Sequence, residues 1–434
     1  MHCRQPNDLT VCMSEINAVL PKEGRDLRLD LFRGIANWAI FLDHIPNNLV
    51  AWVTTRNYGF SDAADLFVFI SGYTAAFVYA RVMLSRGFII GSAKLLKRVW
   101  QLYVAHVLLF ILYIAAIGWA AQRFNEPMLL HEFNVAGLSD NPTQTIIEGL
   151  LLRFKPVNLD VLPLYIVLML VFPPILWCML RQPDLTLLAS IAVYFAARAF
   201  GWNLASFPSG TWYFNPFTWQ LLFMSGAWFA LGGALSSRPV IRSKWLIYVG
   251  GAYLLFALVL TLAGELRWLA ALIPQPLFEA FNPNDKTNLA PYRFIHFIVI
   301  AFMLTRFIPR DWPGLEKPIF APMIKCGQHS LEVFCAGIFL AFIAHLCLML
   351  FTDAYVRGHF LMQLLVSVGG IALLCAVAYF KEWGKRLDAK PPKVQDDGVT
   401  PVRKIGPSIL THQRKGGAAD ASSHTGLAGA GGGS

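Results

Sequence analysis

The chain has 434 residues, of which 56% are hydrophobic and only 14% charged, against about 25% charged in an ordinary soluble domain. So much apolar side chain exceeds what a soluble core can enclose, which excludes a soluble globular fold and places the chain in a lipid bilayer. Lys and Arg number 36 against 26 Asp and Glu, a net charge of +10, and membrane topology accounts for that excess without a nucleic-acid partner.

Residues 1–30 carry charges throughout and no apolar core, so they read as a cytosolic N-terminal arm rather than a cleavable signal. Ten apolar stretches of spanning length follow, at approximately 34–53, 63–84, 98–119, 162–180, 185–201, 213–235, 245–264, 290–308, 327–351 and 361–380. Unpaired backbone groups are not tolerated in hydrocarbon, so each is expected to be a helix. The expected fold is an all-α polytopic membrane protein of about ten transmembrane helices. With both termini in the cytosol, 27 of the 36 basic residues fall on the cytosolic side, as the positive-inside rule requires. Residues 31–382 form the transmembrane domain. Residues 383–434, rich in Lys, Pro, Gly and Ser, read as a disordered cytosolic tail, and the terminal Gly431-Gly432-Gly433-Ser434 as an appended linker scar.

Two long loops, 120–161 and 265–289, lie on the opposite side. Asn141-Pro142 predicts a helix start, with a capping side chain ahead of a proline at the first helical position. Ile146, Ile147, Leu150, Leu151 and Phe154 then share one face, as in an interfacial or re-entrant helix or a loop helix packed on the bundle. The seven cysteines include no CxxC pair, so neither a disulfide scaffold nor a metal site is expected. No internal repeat is visible, which argues against a transporter built from duplicated halves.

Ionisable groups within apolar runs mark function by default. The first run holds Arg33, Asp43 and His44. Eleven positions separate Arg33 from His44, which places them about 20° apart on one helical face and about 16 Å apart along the axis. The second run opens with Asp62 and Asp65 and continues to Ser71-Gly72-Tyr73. Asp65 and Gly72 share a face, the glycine permits close helix approach, and either acid can cap the helix or orient His44. Lys94, Lys97 and Arg98 enter the third run as a cation cluster suited to phosphates or to topology alone. On the far side, Asp160, Lys286, Asn288, Arg293 and His296 stand nearest the helix ends. Glu332 is expected to pair with a buried cation such as Arg293 or His329. His106, His345 and His359 are read as structural or exposed.

Together these segments resemble the integral-membrane acyltransferase-3 superfamily, through Arg33-x10-His44, Ser71-Gly72-Tyr73 and Lys97-Arg98. Further stretches are similar to its OpgC branch, the succinyltransferases of osmoregulated periplasmic glucans. They are Arg25–Gly34, Asp62–Gly72, Leu159–Tyr165, Phe214–Gln220, Lys286–Arg293 and Gly327–Phe334. The resemblance covers about residues 25–380. It departs at the third run, where Lys94-x-x-Lys97 stands in place of Arg-x-x-Arg.

The resemblance implies a multi-pass protein of the bacterial inner membrane that moves a succinyl or other acyl group from cytosolic acyl-CoA to hydroxyls of a periplasmic glucan. It implies catalysis by His44 with Asp43 and Asp65, and donor binding by Arg33, Lys94, Lys97 and Arg98. Asp62, Asp160, Lys286, Asn288, Arg293 and His296 are then acceptor- or succinyl-binding residues. His44 can serve as general base or transient acyl carrier. Besides acyl-CoA (succinyl-CoA) as donor and the glucan as acceptor, partners are the lipid bilayer and either glucan-synthesis proteins or a second copy of the chain. A transporter or flippase for a glucan or organic anion is the competing reading, because buried ionisable residues also mark transport paths.

Overall fold

A computed structural model describes residues 18–19, 24–351 and 356–388, the side chains of 356–358 excepted. The principal helices are α1 (Leu27–Asp43), α2 (Ala63–Arg86), α3 (Phe88–Arg123), α4 (Pro142–Leu150), α5 (Val161–Arg181), α6 (Pro183–Phe200), α7 (Pro216–Trp228), α8 (Gly251–Glu265), α9 (Pro291–Phe307), α10 (Ala321–Gln328), α11 (Ser330–Phe351) and α12 (Val356–Leu387). The fold is all-α and polytopic. Seven of the described helical segments are long and apolar enough to cross a membrane: Ala63–Arg86, Phe88–Arg123, Val161–Arg181, Pro183–Phe200, Leu246–Glu265, Ser330–Phe351 and His359–Leu387.

Each of the ten apolar stretches contains a helix, but several boundaries differ. The first helix does not run over 34–53. It begins at Leu27, capped by the Asp26 side chain on the Arg28 N–H, and stops at Asp43. Pro46 disfavours helical geometry in the residue before it, and a separate 3-10 turn follows at Leu49–Val53. The third helix starts ten residues earlier than expected, at Phe88, because only Gly87, at φ +84°, separates it from α2. The stretch 213–235 is divided: after Trp228 the backbone widens into a π-type turn, with Leu231 and Gly232 out of helical geometry. The stretch 327–351 breaks at His329, which ends α10. Helix α1 starts ahead of the domain boundary drawn at residue 31, and α12 extends past the one drawn at 382. Most of the N-terminal arm, Cys3 and Cys12 in it, and the tail beyond Asp388 with its glycine-serine end lie outside the described residues.

Two close helix crossings hold the bundle together. A Cβ on Gly72 would collide with the Phe223 carbonyl, and one on Gly226 with the Phe69 carbonyl, so α2 and α7 touch backbone to backbone through glycines on both sides. Helices α1 and α10 repeat the device: Gly34 faces the Met323 carbonyl and Gly327 the Asp30 carbonyl. Such approaches gain dispersion and need small residues. The first locks α2 to α7 about two turns past the start of α2, and the second locks α1 to α10.

Helix α4 starts at the predicted Asn141-Pro142, with the Asn141 side chain accepting from the Gln144 N–H. Its orientation is the reverse of a soluble helix. Thr145, Glu148 and Gly149 are buried, while Ile147 and Leu151 are exposed. The Glu148 carboxylate accepts from Gln144 at 2.8 Å and lies 3.2 Å from the half-exposed Arg153 guanidinium. Polar-in and apolar-out is the arrangement lipid favours.

Candidate active site

His44 occupies the C-cap of α1, not the helix interior that the apolar run implied. Its Nδ1 lies 2.5 Å from the Ile40 carbonyl oxygen. A carbonyl can only accept, so Nδ1 carries the proton and Nε2 keeps its lone pair. The ring opens on a cavity of about 660 Å³, which Asp43, Arg56, Asp62, Lys155, Asp160 and Lys286 also line. Three acids and three bases thus surround one imidazole.

Each acid is held differently. Asp43 accepts from the Thr54 hydroxyl at 2.7 Å, and its main-chain carbonyl accepts from Arg56 at 3.2 Å. Asp62 and Asp65 form a capping box at the start of α2. The Asp62 side chain accepts from the Ala64 N–H, and the Asp65 side chain from the Asp62 N–H, both at 2.9 Å. Asp62 also takes Lys286 Nζ at 2.6 Å and Arg293 Nη2 at 2.9 Å. Burial would raise its carboxyl, but the Lys286 and Arg293 cations outweigh burial and hold it well below the usual carboxylate range. Asp160, beside the start of α5, is pushed up to about 6 by burial, against the pull of Lys155 and Lys286.

Asp65 does not orient His44. It is fully buried and clasped by Arg293, which donates from Nε to Oδ1 at 3.0 Å and from Nη2 to Oδ2. Arg293 gives a further bond to the Phe60 carbonyl at 2.8 Å. The ion pair lies beneath the cavity and carries Asp62 from below. His296 is also in this lower layer, 2% exposed, with Nδ1 accepting from the Ser61 N–H at 3.2 Å and 2.8 Å from the Ser61 hydroxyl. Asn288 braces the loop that carries Lys286: its side chain accepts from Asn215 at 3.1 Å and its carbonyl from Arg198 at 2.8 Å. Of the residues expected on this side, Asp62, Asp160 and Lys286 face the cavity. Arg293, His296 and Asn288 support it.

A second cavity, of about 220 Å³, is lined by Arg33, Ser71, Thr74, Tyr79, Arg98 and Tyr165 among others. Arg33 donates to the Thr74 hydroxyl at 2.8 Å and Arg98 to Gln101 at 3.3 Å. Neither makes an ion pair among the described residues. Lys94 and Lys97 are exposed and do not line this cavity. Because α3 begins at Phe88, they lie well inside it, and the helical turn that buries Leu95, Val99 and Leu102 carries both lysines outward.

The two cavities follow one another along the same three helices. On α1 the larger touches Ile40 and the smaller Arg33. On α2 they touch Ala64 and Phe67, and on α5 the neighbours Val161 and Leu162. About one helical turn of α2 separates them.

Elsewhere, Glu332 pairs with Lys381 at 3.4 Å rather than with Arg293 or His329, and His329 lies 3.2 Å from Glu382. His345 faces Glu132 at 3.3 Å. Among the described residues no group of three or more His, Cys, Asp and Glu side chains is placed to hold a metal. Sequence reading missed Lys155, Arg56, Asn134 and Asn158 as cavity residues. The usable signal for Lys155 was a lone lysine between the apolar Phe154 and Pro156, just ahead of a helix start.

The family model described as OpgC protein matches residues 25–386. No curated protein and no solved structure matches the chain.

Proposed function

The chain belongs to the OpgC protein family, and on that premise we propose that it is a membrane-embedded O-acyltransferase. In this reading it moves a succinyl group from cytosolic succinyl-CoA to hydroxyls of a periplasmic glucan, at the bacterial inner membrane. The observation that carries it is the contact of His44 Nδ1 with the Ile40 carbonyl, on a ring that lines a polar cavity: with Nδ1–H committed to that acceptor, Nε2 is left as the base.

The reaction follows from that base. A sugar hydroxyl gives its proton to His44 Nε2 as its oxygen bonds to the thioester carbonyl carbon. The tetrahedral intermediate collapses, the C–S bond breaks, and the departing CoA sulfur takes the proton back from the imidazolium. A general base of this kind contributes roughly 10² to 10⁴-fold. The matched acids and bases of the large cavity suit a neutral polysaccharide, which needs hydrogen-bond partners of both kinds. Arg33 of α1 and Arg98 of α3, which line the smaller cavity, suit the phosphates of the donor. The bias of 27 of 36 basic residues, counted on the expected ten-span topology, supports a cytosolic location for that cavity.

The test is mass spectrometry of periplasmic glucans from cells with and without the protein. Glucans should carry a succinyl mass increment only in its presence. Identical spectra would contradict the reading. Energised glucan uptake without acyl-CoA would favour a transporter instead.

A further inference from the structure

We propose that Lys155, seated on Trp212, is the subsite for the free carboxylate of a dicarboxylic acyl group, and so selects succinyl over uncharged acyl donors. The inference rests on the acyltransferase reading above and names the residue that decides which acyl group is moved.

Lys155 lies in the connection between α4 and α5 and is 6% exposed, yet it lines the large cavity. Its position is fixed from behind, where the Asn134 side-chain amide donates to its main-chain carbonyl at 3.0 Å. Its Nζ stands 4.0 Å from the Trp212 ring centroid and 3.3 Å from the Leu152 carbonyl. Among the described residues it makes no ion pair. Of the other two cavity cations, Lys286 is paired with Asp62, and Arg56, which like Lys155 donates to a main-chain carbonyl, is exposed, so Lys155 is the buried one without a carboxylate.

Around Lys155 are further groups with unmet hydrogen-bonding capacity. The Trp212 indole is 3% exposed and its Nε1–H finds no acceptor among the described residues. His106, 1% exposed and close enough to feel the Lys155 charge, has both ring nitrogens unpartnered. Buried polar groups in native proteins are nearly always satisfied, so each exception asks for an explanation. The ammonium over the indole face is a buried cation that lacks an anion among the described residues, and the Trp212 Nε1–H, outside the cavity lining, is a further donor without an acceptor there. Asp160, the carboxylate nearest in charge, does not supply one at ion-pair distance, and burial pushes its carboxyl up to about 6. An incoming carboxylate would receive a charge-assisted hydrogen bond from Nζ, which a neutral sugar hydroxyl or acetyl methyl cannot match. The distal carboxylate is the single charge on a succinyl group once it has left CoA.

The purified full chain is given equimolar succinyl-CoA and acetyl-CoA with glucan, and the products are counted by mass spectrometry. Lys155→Gln should lower the succinyl-to-acetyl product ratio by about tenfold or more, the scale of one lost charged hydrogen bond, and Lys155→Arg should restore most of it. A ratio unmoved while both rates fall alike would mean a structural role and overturn the proposal. Wild-type protein gives a check that does not depend on a folded variant: the monomethyl ester of succinyl-CoA should be transferred at least tenfold less well than succinyl-CoA, and equal transfer overturns the proposal. If wild type transfers no acyl group at all, the acyltransferase reading fails with it; transfer without charge selectivity sinks this inference alone.

Discussion

Arg293 of α9 and Asp65 of α2 form a buried two-point ion pair, their side chains 3% and 0% exposed, directly under the cavity that His44 faces. The same guanidinium reaches Asp62 at 2.9 Å. One cation therefore fixes both acids of the α2 capping box and, through Asp62, the position of Lys286 at the cavity wall.

Removing that cation leaves the buried Asp65 carboxylate without its cation, while Asp62 keeps Lys286, and such a loss costs about 3–5 kcal/mol. Arg293→Ala should accordingly lower the Tm of the purified protein by many degrees and reduce its yield. The measurement is thermal unfolding in detergent. A variant with wild-type Tm and a raised KM for glucan alone would instead return Arg293 to the acceptor-contact role expected from the sequence.

His44→Ala should leave the fold intact, because the residue caps α1 at a cavity wall and its side chain bonds only to the local Ile40 carbonyl among the described residues. Transfer should fall by about 10²-fold or more. Size-exclusion profile and transfer rate, measured on the same sample, check both halves. Activity within a few-fold of wild type would remove His44 from the mechanism.

The two cation groups on α1 and α3 should separate. Arg33 and Arg98 line the smaller cavity, and Lys94 and Lys97 do not. Neutralising Arg33 and Arg98 together should raise the KM for acyl-CoA at least tenfold. Neutralising Lys94 and Lys97 should change it by less than about twofold, in line with an exposed charge. Equal effects would place the donor against the outer face of α3.

A pH dependence follows from Lys155. Burial pulls its ammonium down to about 8, with Asp160 opposing. The protonated form is the one that holds a carboxylate, so selectivity is complete below that value and is lost as pH rises through it. The succinyl-to-acetyl product ratio should fall between about pH 7 and 9. In Lys155→Arg it should stay flat, because guanidinium keeps its proton throughout. A wild-type ratio flat over the same range would contradict the assignment.

Much of this architecture was legible in the sequence, because apolar run length and the requirement for internal backbone pairing leave few options in lipid. The start of α4 at Asn141-Pro142 and the close-packing role of Gly72 were readable for the same local reasons. What could not be read were pairings across the chain. Asp65 and Arg293 are 228 positions apart, and nothing in either segment says that the acid serves a distant arginine rather than the nearer histidine. Helix register was the second obstacle. An apolar count placed the start of α3 at residue 98, because it cannot see that Lys94 and Lys97 point outward from a helix that begins at Phe88. Lys155 was hidden for a third reason: a lysine in a loop looks solvated until neighbouring segments close over it.

The central claim is that an acyl group crosses the membrane between two cavities strung along α1, with CoA staying on one side. Sealed proteoliposomes of known orientation test it most directly, with labelled succinyl-CoA on the face of Arg33 and glucan confined to the opposite face. The account predicts label on the glucan with donor and acceptor separated, and loss of that label in His44→Ala. Transfer that occurs only when succinyl-CoA and glucan share one face would contradict it.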